Sequence, residues 1–237
     1  MLAQASHWIE IVGTAADALL LCRVLLLKLQ RVYVFITLAC VLALFFDAVD
    51  LWLAPDRDQS DRLFLYSRFL YAFLFPLVVF DVFEEMKSQI SRVRRMAVGK
   101  LVSGLFFATV FGFLLSAFAP PGDRSEPSVL PMLGLVLWAG SSTASLAFAW
   151  TLRRAIRAQN MVPPNNTMVW MAFWQLFLLA QVLYCFFSLV IPLLKNGSAD
   201  VLDIVFNTYD IVITAWCILK LRALPSDVPS TPANANL

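Results

Sequence analysis

The amino-acid sequence predicts an all-α polytopic membrane protein with seven transmembrane helices, the N-terminus outside and the C-terminus in the cytoplasm. Three observations carry that prediction. Of the 237 residues, 60% are hydrophobic and only 14% are charged, with a mean hydropathy of +0.76. A soluble domain is nearer half apolar and a quarter charged. Apolar runs long enough to cross a ~30 Å hydrocarbon core recur along the chain. Lysines and arginines gather in alternate loops, the pattern that sets membrane orientation. Seven spans of about 20 residues occupy roughly 140 positions, so no room remains for a separate catalytic or nucleic-acid-binding domain.

The first run, 8–27, is the weakest candidate because it holds Glu10, Asp17 and Arg23. Asp17 at its centre costs about 2.5–3.5 kcal/mol to insert, and the leucines, isoleucines and valines around it return roughly 3–6 kcal/mol together. Insertion about breaks even, so six spans plus a surface helix stand as the alternative. With no positive n-region and no small-residue cleavage site, the run reads as a retained segment rather than a signal. The second run, 32–54, ends at Ala54-Pro55-Asp56, and the third, 64–86, contains Pro76, which is expected to kink it and frame a cavity. The fourth, 101–119, stops at Pro120-Pro121-Gly122 and carries Gly104, Ala108, Gly112 and Ser116 as one small-residue stripe. The fifth, 130–152, has a small-residue segment from Ala139 to Ser145 at its middle. Small residues let backbones approach closely, so runs four and five are expected to pack together, with a homodimer seam as the alternative.

Pro163-Pro164-Asn165-Asn166 precedes the sixth run, 168–193, and Lys195-Asn196-Gly197-Ser198 follows it. The seventh is 202–221. A single seven-helix domain over 1–224 is therefore expected, followed by a disordered cytoplasmic tail over 225–237, rich in Pro, Ser, Ala and Asn.

Arg23, Lys28, Arg31, Lys87, Arg92, Arg94, Arg95, Lys100, Arg153, Arg154, Arg157, Lys220 and Arg222 all fall on one side of this arrangement, 13 of the 18 Lys plus Arg. The opposite side has only Arg57, Arg62, Arg68, Arg124 and Lys195, interleaved with acidic residues. The basic side is therefore assigned to the cytoplasm.

Ionisable side chains at membrane depth are functional candidates because they are expensive there. On the first run His7, Glu10, Thr14 and Asp17 share one helical face; on the seventh, Asp203, Asn207, Asp210 and Thr214 do the same. Asp47 and Asp50 near the outer end of the second run, and Arg68 near the outer start of the third, complete a candidate outward-facing polar cavity ending at Asp17 and Asp210. One reading is a proton or cation half-pathway, or a pocket for a cationic ligand. The other is that both aspartates are hydrogen-bonded packing residues joining helices one and seven.

Other chemistry is poorly served. The four cysteines lie inside apolar runs without a CxxC, so neither disulfide nor metal site is expected. One histidine makes no metal cluster. Asp81, Glu84 and Glu85 sit beside the basic segment 87–100, and ion pairing with it is their expected role. No nucleophile, phosphate-cradling loop or cofactor motif is present, so no catalytic residue and no cofactor is assigned. The expected partners are the lipid bilayer and another membrane protein or a second copy of this chain. A nucleic-acid role does not suit so few charges held at a membrane surface.

Seven spans invite comparison with rhodopsins and G-protein-coupled receptors, and the residues refuse both. Lys220 lies at the cytoplasmic end of its helix, where no retinal Schiff base would form, and no Asp-Arg-Tyr closes the third helix. Through Arg31-Val32-Tyr33-Val34-Phe35, and the aromatic stretch from Tyr66 through Pro76 to Glu85, the chain resembles a group of uncharacterised seven-span bacterial inner-membrane proteins. That resemblance implies a bacterial inner-membrane location and a sensory or accessory role, and it supplies no functional residues.

Overall fold

The computed structural model describes residues 2–53, 57–86, 110, 129–190 and 198–224. Among them the chain is all-helical: α1 (Leu2–Leu26), α2 (Val34–Leu53), α3 (Arg57–Glu84), α4 (Val129–Ala158), α5 (Asn165–Val190) and α6 (Ser198–Lys220), with one 3-10 turn, Leu29–Arg31, between α1 and α2. The run at 101–119, with Gly104, Ala108, Gly112 and Ser116, and the tail 225–237 lie outside the described residues. Among the described residues, five helices are long and apolar enough to cross a membrane, over Val34–Trp52, Tyr66–Glu84, Leu133–Ala158, Asn165–Phe187 and Val201–Lys220. The sixth, α1, is a 25-residue helix carrying Glu10, Asp17 and Arg23.

Each helix packs on its neighbours in a closed ring: α1 on α2, α2 on α3, α3 on α4, α4 on α5, α5 on α6, and α6 back on α1. The ring is inside-out relative to a soluble protein. Leu219, Trp52 and Phe73 are 81%, 79% and 70% exposed, whereas the carboxyl groups of α1, α2 and α6 turn inward. Large apolar surfaces of this kind fit a lipid environment, not water.

Side-chain contacts fix the helix directions. Arg68 lies over the Trp138 ring, Ser141 reaches Ala72, and Phe83 meets Phe148 edge-on at 5.9 Å. Both sequences rise together, so α3 and α4 run the same way. The end where α1, α3, α4 and α6 finish and α2 and α5 begin is the base of the bundle. It is closed by a core of buried side chains that includes Val24, Leu29, Tyr33, Phe83, Trp170 and Leu221.

Polar groups lock this base. The Asp81 carboxylate accepts from the Phe35 and Ile36 amides at 2.6 and 3.0 Å, capping α2 from another helix. Tyr33 and Thr167 both donate to Glu85. Arg23 donates to the Leu221 carbonyl at 3.1 Å, and Asn166 makes a two-way bond with the Arg222 backbone. The expected pairing of Asp81, Glu84 and Glu85 with the basic segment 87–100 falls outside the described residues; the Asp81 and Glu85 carboxylates hold helix ends together. Tyr33 precedes the first residue of α2, and burial together with the Glu85 carboxylate pushes its hydroxyl ionisation far above the ordinary tyrosine range, keeping it a donor.

Pro76 does not end α3, which continues to Glu84. Its missing N–H frees the Ala72 carbonyl, and the Ser141 hydroxyl donates to that oxygen. The small segment 139–145, expected to meet run 101–119, thus places Ser141 against α3. Ser141, Ser142, Ala144 and Ser145 are all buried.

Candidate functional site

Along α1, the spacing Glu10, Thr14, Asp17 puts one side chain per turn on the same face. Along α6, Asp203, Asn207, Asp210 and Thr214 do likewise. Because α1 packs on α6 with Gly13 beside Ile211, the two stripes face one space. That space is a cavity of about 490 Å³, reaching from Ser6 and Asp203 at the mouth to Leu20, Cys40 and Thr214.

Glu10, Thr14, Asp17, Asp47, Asp50, Asp203, Asn207, Asp210 and Thr214 all line it. Arg68 does not. Its guanidinium lies 4.9 Å from the Trp138 ring centroid and beside Tyr184, whose hydroxyl donates to Asp203 at 2.9 Å. Arg68 is thus held against Trp138 of α4 and Tyr184 of α5, outside the cavity lining.

The sequence singled out Asp17 and Asp210 as the deep pair. In the structure Asp17 faces Asp47 at close range, and Asp210 stands near both. One oxygen of Asp210, Oδ1, is fully buried without a hydrogen-bond partner among the described residues. Towards the mouth, Glu10 accepts from the Ser6 hydroxyl at 3.0 Å, and His7 lies 4.0 Å away. Six carboxyl groups line the cavity, from Glu10, Asp17, Asp47, Asp50, Asp203 and Asp210, and no lysine, arginine or histidine lines it among the described residues. Nor do three His, Cys, Asp or Glu side chains among those residues come together as a metal-binding set.

The opposite wall is aromatic, and the sequence reading missed it. Phe46 meets Tyr71 at 6.0 Å, Tyr71 stacks on Phe75 at 5.7 Å, and Phe75 contacts Trp174 and Phe177 at 6.3 and 5.9 Å. All five line the cavity. A signal was available: Trp174, Phe177, Gln181 and Tyr184 fall at i, i+3, i+7 and i+10, the same one-face spacing as the acidic stripes. In a run that is apolar all round, aromatic side chains do not mark which face turns inward.

An acidic inner wall opposite fixed aromatic rings favours positive charge and excludes anions. Its closed base makes it a pocket rather than a pore. No family model matches the chain, and no curated protein or solved structure is significantly similar to it.

Proposed function

We propose that this chain is a seven-span membrane protein of the bacterial inner membrane, non-enzymatic, acting as a sensory, accessory or interaction subunit through a cation-binding cavity open to the outside. The observation that carries this reading is a cavity with six carboxyl groups and no basic side chain in its lining among the described residues. The base end bears Arg23, Lys28, Arg31, Arg153, Arg154, Arg157, Lys220 and Arg222, which supports a cytoplasmic base and an outward mouth. The parallel packing of α3 and α4 supports the seventh span. A chain leaving the base after Glu84 has to regain the mouth end before Val129, and a span over 101–119 would supply that return.

A second reading, a small transporter or channel using Asp17 and Asp210 for protons or cations, is favoured by the close grouping of Asp17, Asp47 and Asp210 in the cavity lining. It requires the base to open, where buried apolar side chains and the Asp81 and Glu85 bonds now close it. The closed base favours sensing over conduction.

The test is an Asp17→Asn/Asp210→Asn double variant in lipid nanodiscs. It should melt within a few degrees of wild type yet lose cation-induced stabilisation, while Asp81→Asn keeps it. A double variant that responds to cations like wild type would return both aspartates to a packing role.

A further inference from the structure

We infer that the cavity takes an organic ammonium ion with an apolar or aromatic body, its charge held at Asp47, Asp17 and Asp210 and its body laid against the Tyr71–Phe75–Trp174–Phe177 wall. This inference rests on the cation-binding reading above and names the class of cation.

Three observations separate an organic cation from an inorganic one. The first is size: about 490 Å³ falls in the range of small-molecule pockets and far exceeds a bare ion. The second is the donor set. The acidic side chains lie on three helices, and among the described residues no three His, Cys, Asp or Glu groups converge as a metal ion requires. A diffuse ammonium charge needs no such convergence.

The third is the aromatic wall. Its rings are locked by mutual contacts, Trp174 on Phe177 at 5.3 Å and Phe173 on Trp174 at 5.3 Å. Rings so fixed present π faces without further ordering, and such faces attract desolvated cations. Trp174 is 6% exposed and its indole Nε1 has no hydrogen-bond partner among the described residues, as is true of Asp210 Oδ1. Both residues line the pocket, and each keeps one buried polar atom unpaired among the described residues. An ammonium ion supplies what Asp210 lacks, since that oxygen can only accept or hold a counter-charge.

The experiment uses the full chain in nanodiscs, with intrinsic tryptophan fluorescence as readout, because Trp138 and Trp174 line the cavity. The probes are benzyltrimethylammonium, its neutral isostere neopentylbenzene, sodium and magnesium. The ammonium probe should give a saturable change that the isostere does not reproduce at equal concentration. Its affinity should fall at least tenfold in Asp47→Asn/Asp210→Asn and severalfold in Phe177→Leu.

An acid-dependent response to sodium or magnesium without one to the ammonium probe would overturn the inference and leave the cation reading standing. Equal binding of the isostere would overturn both, as would silence of every probe. The comparison of probe and isostere is made on wild type, so it decides the matter even if the double variant fails to fold.

Discussion

Tyr33, Asp81 together with Glu85, and Thr167 come from three different parts of the chain and meet at the base. Nothing in their spacing announces this, because each contact depends on how one helix end is placed against another. Asp81→Ala should leave the Phe35 and Ile36 amides uncapped and destabilise the protein by about 1–2 kcal/mol. Tyr33→Phe should remove one donor from Glu85 at a similar cost of about 1–3 kcal/mol. Both are read as lowered melting temperature in nanodiscs with the cation response retained. The acidic stripes were legible for the opposite reason: Glu10, Thr14 and Asp17 need only the helical period to be placed on one face. Their depth relative to Asp47 was not, since the count along one helix carries no information about its stagger against the next. Gly13 shows how loosely the rim is packed. A Cβ there would meet only Ile211 Cγ1, at 3.9 Å. Gly13→Ala should therefore be neutral or stabilising by up to ~1 kcal/mol, and a clear loss of stability would show closer α1–α6 packing than the structure gives.

At the scale of elements, punctuation by proline and polar residues located the described helices, and each overlaps its expected run, though α1 and α3 begin earlier, at Leu2 and Arg57, and α4 ends later, at Ala158. Length and hydropathy report a helix without reporting all its partners, so the contact of segment 139–145 with α3 through Ser141 was not legible, and its expected packing on run 101–119 lies outside the described residues. The interaction of Ser141 with α3 has a sharp consequence. Ser141→Ala should leave the Ala72 carbonyl without a donor and destabilise the protein by about 1–3 kcal/mol. Pro76→Ala restores the backbone N–H that Ala72 would use, so in that background Ser141→Ala should have much less effect. A double-mutant cycle of melting free energies measures the coupling. Additive effects would mean that Ser141 does not stand in for the missing helical bond. The first helix, alone of the six described, is not among the candidate spans, because Glu10, Asp17 and Arg23 all lie in its apolar stretch; Glu10 and Asp17, with Thr14, belong to the cavity lining.

For the whole molecule, the proposed orientation rests on the direction of the helices and the placement of charge. A reporter active only in the cytoplasm should be active when fused after Arg222 and silent when fused in the 120–129 segment. The reverse result would turn the cavity to the cytoplasmic face. The central claim is that the acidic cavity is wet and reached from outside, and thiol accessibility tests it most directly. In a background with Cys22, Cys40, Cys185 and Cys217 replaced, Asp210→Cys or Asp17→Cys is placed in intact cells, and a membrane-impermeant thiol reagent is added to the outside. The account predicts labelling at both positions, slowed by benzyltrimethylammonium. A cysteine at either position that never reacts from outside, in a protein that is folded and inserted, would contradict an open cavity and make the two aspartates packing residues.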